Sequence, residues 1–260
     1  MQSKRAQNLT PKTLRYYTQT VGRFLNAVNP DTASPEIIND YLMQFSNGGG
    51  RHAHWRALRA FFNWREDIFN LQNPMIKMKA PKVDKLIMPT LRLPEIKRLI
   101  DEADTVRDQA LIALLTESGM RLSKIANVKS TDIDWQNRNI RVIGKGRKER
   151  NVPFGQLSEY YLIEWLGKNQ IGSISTNIWK LNTWGIVSML RRLEKKTGLR
   201  CNPHVFRRSF ATIQKILGTN ISIIKELGGW ESLPMVEATY QLLRIAFEQI
   251  YSENSKKQGF

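Results

Sequence analysis

The sequence contains little cysteine and no long apolar run. Cys201 is the one cysteine among 260 residues, which excludes an internal disulfide and a cysteine-rich zinc site. No apolar stretch approaches the ~18–20 residues that span a membrane. No apolar run follows the first basic residues, as one would in a secretory signal peptide. These absences predict a cytoplasmic protein without a membrane partner.

Acidic residues are also scarce relative to basic ones. The chain has 40 Lys+Arg against 23 Asp+Glu, which gives a formal net charge of +17. Such an excess predicts a polyanionic partner, most often nucleic acid. An anionic membrane surface would explain the charge alone, but the basic residues are spread along the chain instead of forming a polybasic tail. Apolar residues make up 41% of the chain, enough to predict a folded core.

Helix signals dominate what is present. Thr10-Pro11 and Ser34-Pro35 each pair an N-cap residue with proline at the first helical position. Gly48-Gly49-Gly50 is interpreted as a break before a third helix. The convincing strand signals lie at 139–154, where NIRVI and KERNVPF flank a GKG turn with Lys145 at its tip. The predicted fold class is therefore mostly α with one small antiparallel β-sheet.

The stretch NPMIKMKAPKVDKLIMP separates two parts of the chain. It carries three prolines and several lysines with little periodicity, which predicts an interdomain linker. The expected organisation is a helical domain over 1–80, a linker over 81–89 and a second domain over 90–260. In the first domain the helix RHAHWRALRAFFNW is rich in arginine, which suits a DNA phosphate backbone or a solvated face.

The stretch NPHVFRRSFAT places three cationic or near-cationic side chains within one turn. His204 shares a helix face with Arg207 and with Arg208, because residues three and four apart are neighbours. Phe206 and Phe210 are expected to point inward. Arginine can hold two phosphate oxygens, and histidine can exchange a proton near neutral pH. By itself the stretch is equally compatible with a surface helix that carries incidental charges.

Three further stretches make the phosphate interpretation stronger. Arg121 follows a glycine break in ESGMRLSKIANVKSTDID, Lys145 lies in the GKG turn, and GGWESLPMVEATY contains Trp230 and Tyr240. In this order the motifs resemble the tyrosine recombinase (phage integrase) family, in its short, Xer-like form. That family has an arginine in a TGLR-like turn, a lysine in a hairpin, HxxR, a His or Trp position and a tyrosine. The resemblance covers nearly the whole chain.

The resemblance implies a two-domain DNA clamp. Its helical N-terminal part would be the core-binding domain, and its second part an α/β-hairpin catalytic domain with a C-terminal helix. The implied activity is that of a site-specific DNA recombinase or integrase. Such an enzyme cleaves and rejoins DNA strands through a covalent 3′-phosphotyrosine intermediate.

The resemblance also implies a role for each matching residue. Tyr240 would be the nucleophile, and Arg121 with Arg207 would hold the non-bridging phosphate oxygens. Lys145 would protonate the leaving 5′ oxygen, and His204 would assist proton transfer at the tyrosine. Trp230 occupies the remaining matching position, and its indole N–H can donate one hydrogen bond to phosphate.

The same resemblance implies partners and an absence of cofactors. No cofactor or metal is expected, because arginines supply the positive charge that metals supply elsewhere. The expected partner is double-stranded DNA with inverted half-sites. The stretch LLRIAFEQI after Tyr240 is predicted to form an amphipathic helix that docks on a neighbouring subunit in a tetramer on DNA. An accessory protein is compatible with this arrangement.

Three positions depart from the family pattern. Lys124 stands where the family usually has an acidic residue, and Arg208 stands where it often has a second histidine. The spacing from Trp230 to Tyr240 is one residue longer than expected. These departures keep open a catalytically weak or inactive DNA-binding protein of recombinase descent. A type IB topoisomerase-like enzyme, which uses the same chemistry as a monomer, is a further alternative.

Overall fold

A computed structural model describes residues 9–83, 88–144, 149–169 and 177–237. The chain divides into two compact units, residues 1–86 and 87–260. The boundary between them falls inside the stretch that the sequence marks as a linker. No helix in the described ranges is both long enough and apolar enough to cross a membrane.

The first unit contains three helices, which are α1 (Pro11–Ala27), α2 (Pro35–Met43) and α3 (Gly48–Phe69). The predicted caps are confirmed: the side chain of Thr10 accepts from the Thr13 amide, and that of Ser34 accepts from the Ile37 amide. The interpretation of the glycine triplet as a break is wrong. Asn47 caps α3 through the Gly50 amide, and this cap offsets the low helix propensity of the three glycines.

An aromatic core holds these three helices together. The rings of Phe24 and Tyr41 meet edge to face with centroids 5.0 Å apart, and the rings of Phe24 and Phe62 meet edge to face with centroids 5.9 Å apart. Edge-to-face contacts of this kind add to the free energy gained by burial. The buried members of the core are Phe24, Ile38, Tyr41, Leu42, Leu58, Phe62 and Met75.

The second unit contains most of the helices and the sheet. Its helices are α4 (Leu93–Asp101), α5 (Val106–Ser118), α6 (Leu122–Ile125), α7 (Gln156–Lys168), α8 (Thr183–Thr197), α9 (Pro203–Ile216) and α10 (Ile221–Gly228). Helix α5 packs against α4, α7 and α9. Its run from Ala110 to Leu115 is buried on all sides, which is typical of a central helix.

A three-stranded antiparallel sheet covers one side of this core. Its strands are β1 (Ile133–Asp134), β2 (Asn139–Ile143) and β3 (Glu149–Pro153), in the order β1-β2-β3. In the β2–β3 register Ile140 pairs with Val152, and Val142 pairs with Arg150. The fold class is confirmed as mostly helical with one small antiparallel sheet. Strand β1 was not predicted, because two residues are too few to form an alternating pattern.

Candidate active site

Helix α9 begins where the sequence predicts. The side-chain oxygen of Asn202 accepts hydrogen bonds from the backbone amides of His204 and Val205, both at 3.1 Å, and proline occupies the first turn. Phe206 and Phe210 are buried, which confirms their inward direction. His204 is exposed in the first turn, so α9 presents an imidazole to solvent beside its buried face.

Arg207 is buried in the second unit. Its side chain is 8% exposed, and its Nη1 donates to the carbonyl of Gly119 and, at 2.6 Å, to that of Gly228. Its Nη2 is also buried and has no hydrogen-bond partner among the described residues. A buried charged donor without an acceptor costs free energy, and a phosphate oxygen would remove that cost.

Neighbouring arginines and burial perturb the Arg207 guanidinium. Burial is the main cause that lowers its pKa to about 9, and the positive charges of Arg121 and Arg150 lower it further. Arg121 is brought close because Gly119 ends α5 with a φ of 58°, after which Arg121 occupies the N-cap position of α6. The turn at residues 119–121 thus brings two predicted site residues, Arg121 and Arg207, into one electrostatic neighbourhood.

The ring of Trp230 lies against the same guanidinium. The Arg207 Cζ is 3.8 Å from the ring centroid, a cation–π geometry that stabilises a desolvated cation. The ring is 9% exposed and belongs to a buried cluster with Phe210 and Ile224. A Cβ on Gly228 would lie 1.6 Å from this ring, so only glycine at that position allows the indole to reach Arg207.

Sequence reasoning missed Arg150. This β3 residue donates from Nη1 to the carbonyls of Glu226 and Leu227 at 2.7 and 2.6 Å, and from Nη2 to the carbonyl of Gly228 at 3.2 Å. Burial lowers the pKa of Arg150, and the charge of Arg121 lowers it further. A signal was present: strand alternation places Arg150 on the same face as the buried Val152, and an arginine on a core-facing position needs an acceptor.

Two of the three departures from the family pattern, Arg208 and Lys124, lie in the described residues and have different surroundings. Arg208 turns away from Arg207, and its Nε donates to the carbonyl of Pro89 at 3.2 Å. The next residue, Ser209, accepts from the amide of Leu91 at 2.7 Å. Burial lowers the pKa of Arg208, with a further contribution from Arg200. Arg208 therefore anchors the chain that leads into α4 and does not join the arginine cluster.

Lys124 lines a cavity of about 440 Å³ between α6 and the sheet. The cavity walls carry both signs of charge, including Lys129, Arg141, Asp132 and Glu149. Lys124 lies in α6, three residues after Arg121. Its backbone amide donates to the Arg121 carbonyl at 2.8 Å. A lysine that lines this cavity therefore stands at the position where the family usually has a carboxylate.

Two predicted site residues fall outside the described ranges. Lys145 belongs to residues 145–148 and Tyr240 to residues 238–260, so their positions stay predictions. In the described ranges, no group of three or more His, Cys, Asp or Glu side chains is placed to hold a metal ion. The described part of the site is an arginine cluster, with Arg207 and Arg150 held by backbone carbonyls. Its chemistry is that of an anion receptor.

In the first unit, the arginines of α3 are partly engaged within the protein. Arg51 donates from Nε to the Phe45 carbonyl at 2.7 Å, and Arg59 donates to the Met75 carbonyl at 3.3 Å. Arg56 is exposed. The basic face of this helix is consequently narrower than the sequence suggested.

Comparison with known proteins identifies the family of the chain. A family model described as the phage integrase family matches residues 89–244. The chain is 27% identical over 250 residues to the tyrosine recombinase XerC of Mannheimia succiniciproducens, covering 86% of this chain and 84% of that protein. It is 29% identical over 266 residues to the tyrosine recombinase XerA of Thermococcus kodakarensis, covering 92% and 89%.

A solved structure shares the fold at lower sequence similarity. It is a lambda integrase fragment, residues 75–356, determined as a dimer bound to a COC′ core site. The TM-score is 0.78 at 14% identity, with 92% of this chain and 91% of that chain covered.

Proposed function

The chain belongs to the phage integrase family, and we propose that Arg121, Arg207 and Tyr240 form the centre of its strand-exchange site. The protein is a tyrosine-type site-specific DNA recombinase. Its substrate is double-stranded DNA, which it cuts and rejoins through a 3′-phosphotyrosine intermediate. Such a reaction takes place where the genome lies, which in prokaryotic cells is the cytoplasm.

One observation supports this assignment above the others. The Arg207 guanidinium is buried, and burial lowers its pKa, yet its Nη2 lacks an acceptor among the described residues. Its Nη1 is held on two backbone carbonyls and its face is supported by Trp230. A guanidinium fixed in this way loses little side-chain entropy when a phosphate oxygen binds to the remaining nitrogen.

The proposed reaction uses one group for each step. The hydroxyl oxygen of Tyr240 attacks phosphorus, and a bond from phosphorus to the tyrosine oxygen replaces the bond to the 5′ oxygen. His204, at the exposed first turn of α9, assists transfer of the tyrosine proton. Lys145 gives a proton to the departing 5′ oxygen. Reversal of these steps with a different 5′ hydroxyl rejoins the strands.

The arginines and Trp230 act on the phosphate. Arg121 and Arg207 hold the two non-bridging oxygens and stabilise the charge of the pentavalent phosphorus. Trp230 supports the guanidinium of Arg207 through its ring. That the indole N–H also donates to phosphate stays a prediction.

An apolar groove supports the proposal that the chain self-associates. A cavity of about 640 Å³ is lined by side chains of α4, α7, α9 and α10. Leu93, Leu157 and Leu217 border it and are exposed by 63%, 39% and 71%. We propose that it receives the apolar face of the predicted helix in residues 241–250 of a neighbouring copy, in a tetramer on DNA. The proposal also includes an accessory protein that binds the same assembly.

Covalent capture tests the recombinase assignment. Duplexes that bind the full chain would be selected from a random-sequence pool, and a nick placed beside the scissile position would trap the intermediate. We expect a protein–DNA adduct that survives SDS, and no adduct with the Tyr240→Phe variant.

The same experiment separates the two alternatives. Specific binding without any adduct by the wild-type chain would mean a DNA-binding protein that no longer cuts. Relaxation of supercoils by a protein that never pairs two sites would indicate topoisomerase activity. The named recombinases among its relatives favour strand exchange over both.

A further inference from the structure

The backbone carbonyls at the C-terminal end of α10 accept hydrogen bonds largely from arginine side chains. The last carbonyls of a helix have no partner within the helix. Here the chain closes on two of them, because the Trp230 amide donates to the Lys225 carbonyl and the Gly229 amide to the Glu226 carbonyl. The carbonyls of Leu227 and Gly228 accept instead from arginine side chains.

Arg150 and Arg207 share one of these acceptors. The Gly228 oxygen is 2.6 Å from Nη1 of Arg207 and 3.2 Å from Nη2 of Arg150. Arg150 holds the two preceding carbonyls as well, those of Glu226 and Leu227. Three hydrogen bonds from Arg150, one of them to the Gly228 oxygen itself, therefore hold the helix end that carries one of the two acceptors of Arg207. A positive group is also electrostatically favourable at a helix C-terminus.

The backbone fits closely around this contact. Gly229 adopts a φ of 67°, which side-chain-bearing residues rarely adopt, and a Cβ there would lie 2.6 Å from the Arg150 Cζ. The double glycine thus allows both the Trp230 ring and the Arg150 guanidinium to approach the turn. Residues 228–230 therefore pack against both Arg150 and Arg207.

Arg150 also lies next to the predicted Lys145 turn. It is the second residue of β3, and it pairs with Val142 near the end of β2 that leads into that turn. Its hydrogen bonds to α10 therefore fasten this end of the hairpin to the helix that orients Arg207.

We propose that Arg150 is a positioning residue for the scissile phosphate. It acts by fixing the carbonyl that aims Arg207 and by holding the strand that follows the Lys145 turn. Its own guanidinium is occupied by carbonyls and does not touch the substrate. This inference rests on the proposed recombinase function, and it assigns a role to a residue outside the matched motifs.

A double-mutant cycle tests the coupling to Arg207. The variants are Arg150→Met, Arg207→Lys and the pair, each measured for the rate of adduct formation with saturating protein on the nicked duplex selected above. Arg150→Met is expected to slow the adduct on the order of a hundredfold, because a displaced catalytic group costs that much. The affinity of this variant for the unnicked duplex should change less than about threefold, since the contacts of the other basic side chains with the DNA phosphates remain.

The cycle separates positioning from general destabilisation. If Arg150 works through Arg207, adding Arg150→Met to Arg207→Lys should lower the rate by less than about threefold. A merely structural residue would give losses that multiply, and its adduct yield would follow the folded fraction measured by circular dichroism. Either of these results would overturn the proposal.

Two further variants keep the test sharp if Arg150→Met folds poorly. Gly229→Ala retains the Arg150 charge but places a Cβ where its guanidinium lies, so the same slow adduct and unchanged affinity are expected. Arg138→Met is the matched control, because it removes a basic residue at the other end of β2, where Arg138 forms an exposed ion pair with Glu159. It should react at the wild-type rate.

The outcomes also distinguish this inference from the function beneath it. An adduct from wild type and an equal rate from Arg150→Met would refute the positioning role alone. Absence of an adduct from wild type would refute the recombinase assignment itself.

Discussion

At the scale of single residues, the site is defined by the environment of Arg207. Three influences lower its pKa to about 9: burial first, then the charges of Arg121 and Arg150. Because the arginine keeps its ordinary, higher pKa in the unfolded chain, the unfolded chain binds more protons than the folded chain at pH values between about 9 and that ordinary pKa. The free energy of unfolding therefore increases as pH rises above about 9, because the cost of burying the charged Arg207 guanidinium is relieved. At lower pH, a bound anion offsets that cost.

Sulfate, as a phosphate mimic, makes this environment measurable. At matched ionic strength, replacing chloride by sulfate should raise the melting temperature of the wild-type chain at about pH 7, since the anion binds the charged folded form. The increase should shrink by about pH 10, where the guanidinium has released its proton in the folded state. The measurement is thermal unfolding followed by circular dichroism.

Arg207→Met is the control for this prediction. Other basic residues bind sulfate too, so only the difference between variant and wild type reports on the site. The variant should show a smaller increase that depends less on pH. Identical increases in both proteins would show that the anion does not reach Arg207.

At the scale of elements, two helix ends illustrate different uses of glycine. Gly119 ends α5 at a φ of 58° and Gly198 ends α8 at a φ of 72°, both left-handed. A Cβ on Gly119 would lie 2.3 Å from the Phe210 ring, whereas a Cβ on Gly198 meets nothing within 4 Å. Gly119 therefore serves both the turn before Arg121 and the packing of α5 against α9.

Alanine at each position separates the two contributions. Gly198→Ala should lower the free energy of unfolding by about 1 kcal/mol, the cost of the left-handed backbone. Gly119→Ala should cost about 2–4 kcal/mol, because overpacking against the ring is added. Urea denaturation gives both values, and equal losses would contradict the packing argument.

At the scale of the whole molecule, the charge and the apolar groove make different contributions to assembly. The net charge of +17 favours binding to DNA without specifying a sequence. The groove bordered by Leu93, Leu157 and Leu217 is largely apolar, and it is the surface that we propose for contacts between protein copies. We therefore expect binding to one site and pairing of two sites to depend on separate surfaces.

Deletion of the residues after 241 tests that separation. Binding of one copy to a half-site, measured by gel shift, should stay within about threefold of the full chain, because the phosphate contacts remain. Pairing of two sites should fall by at least about tenfold, because effective multivalency is lost. Leu217→Lys, which places a charge at the groove on an intact tail, should reproduce the defect. Equal loss of both activities would contradict docking between copies.

Much of the fold was predictable because its determinants are local. The caps Thr10, Ser34 and Asn202 and the alternating strands around 139–154 are encoded within a few residues, where propensity and hydrogen bonding act directly. The prediction failed at the glycine triplet, where the side chain of Asn47 caps a helix that propensity alone disfavours. It also missed the cap of α10, which is Asn220: its side chain accepts from the Ser222 amide at 2.8 Å.

The sequence alone determined the residue types, their order and the charge balance, and with them the family and its reaction. Only the tertiary structure decided where each arginine side chain lies and which groups it contacts. Adjacent residues on a helix point about 100° apart, so Arg207 enters the core while Arg208 reaches Pro89. Arg150 meets carbonyls 76 to 78 positions away in the chain. No local pattern encodes that distance, because it depends on which faces α9, α10 and β3 bury together.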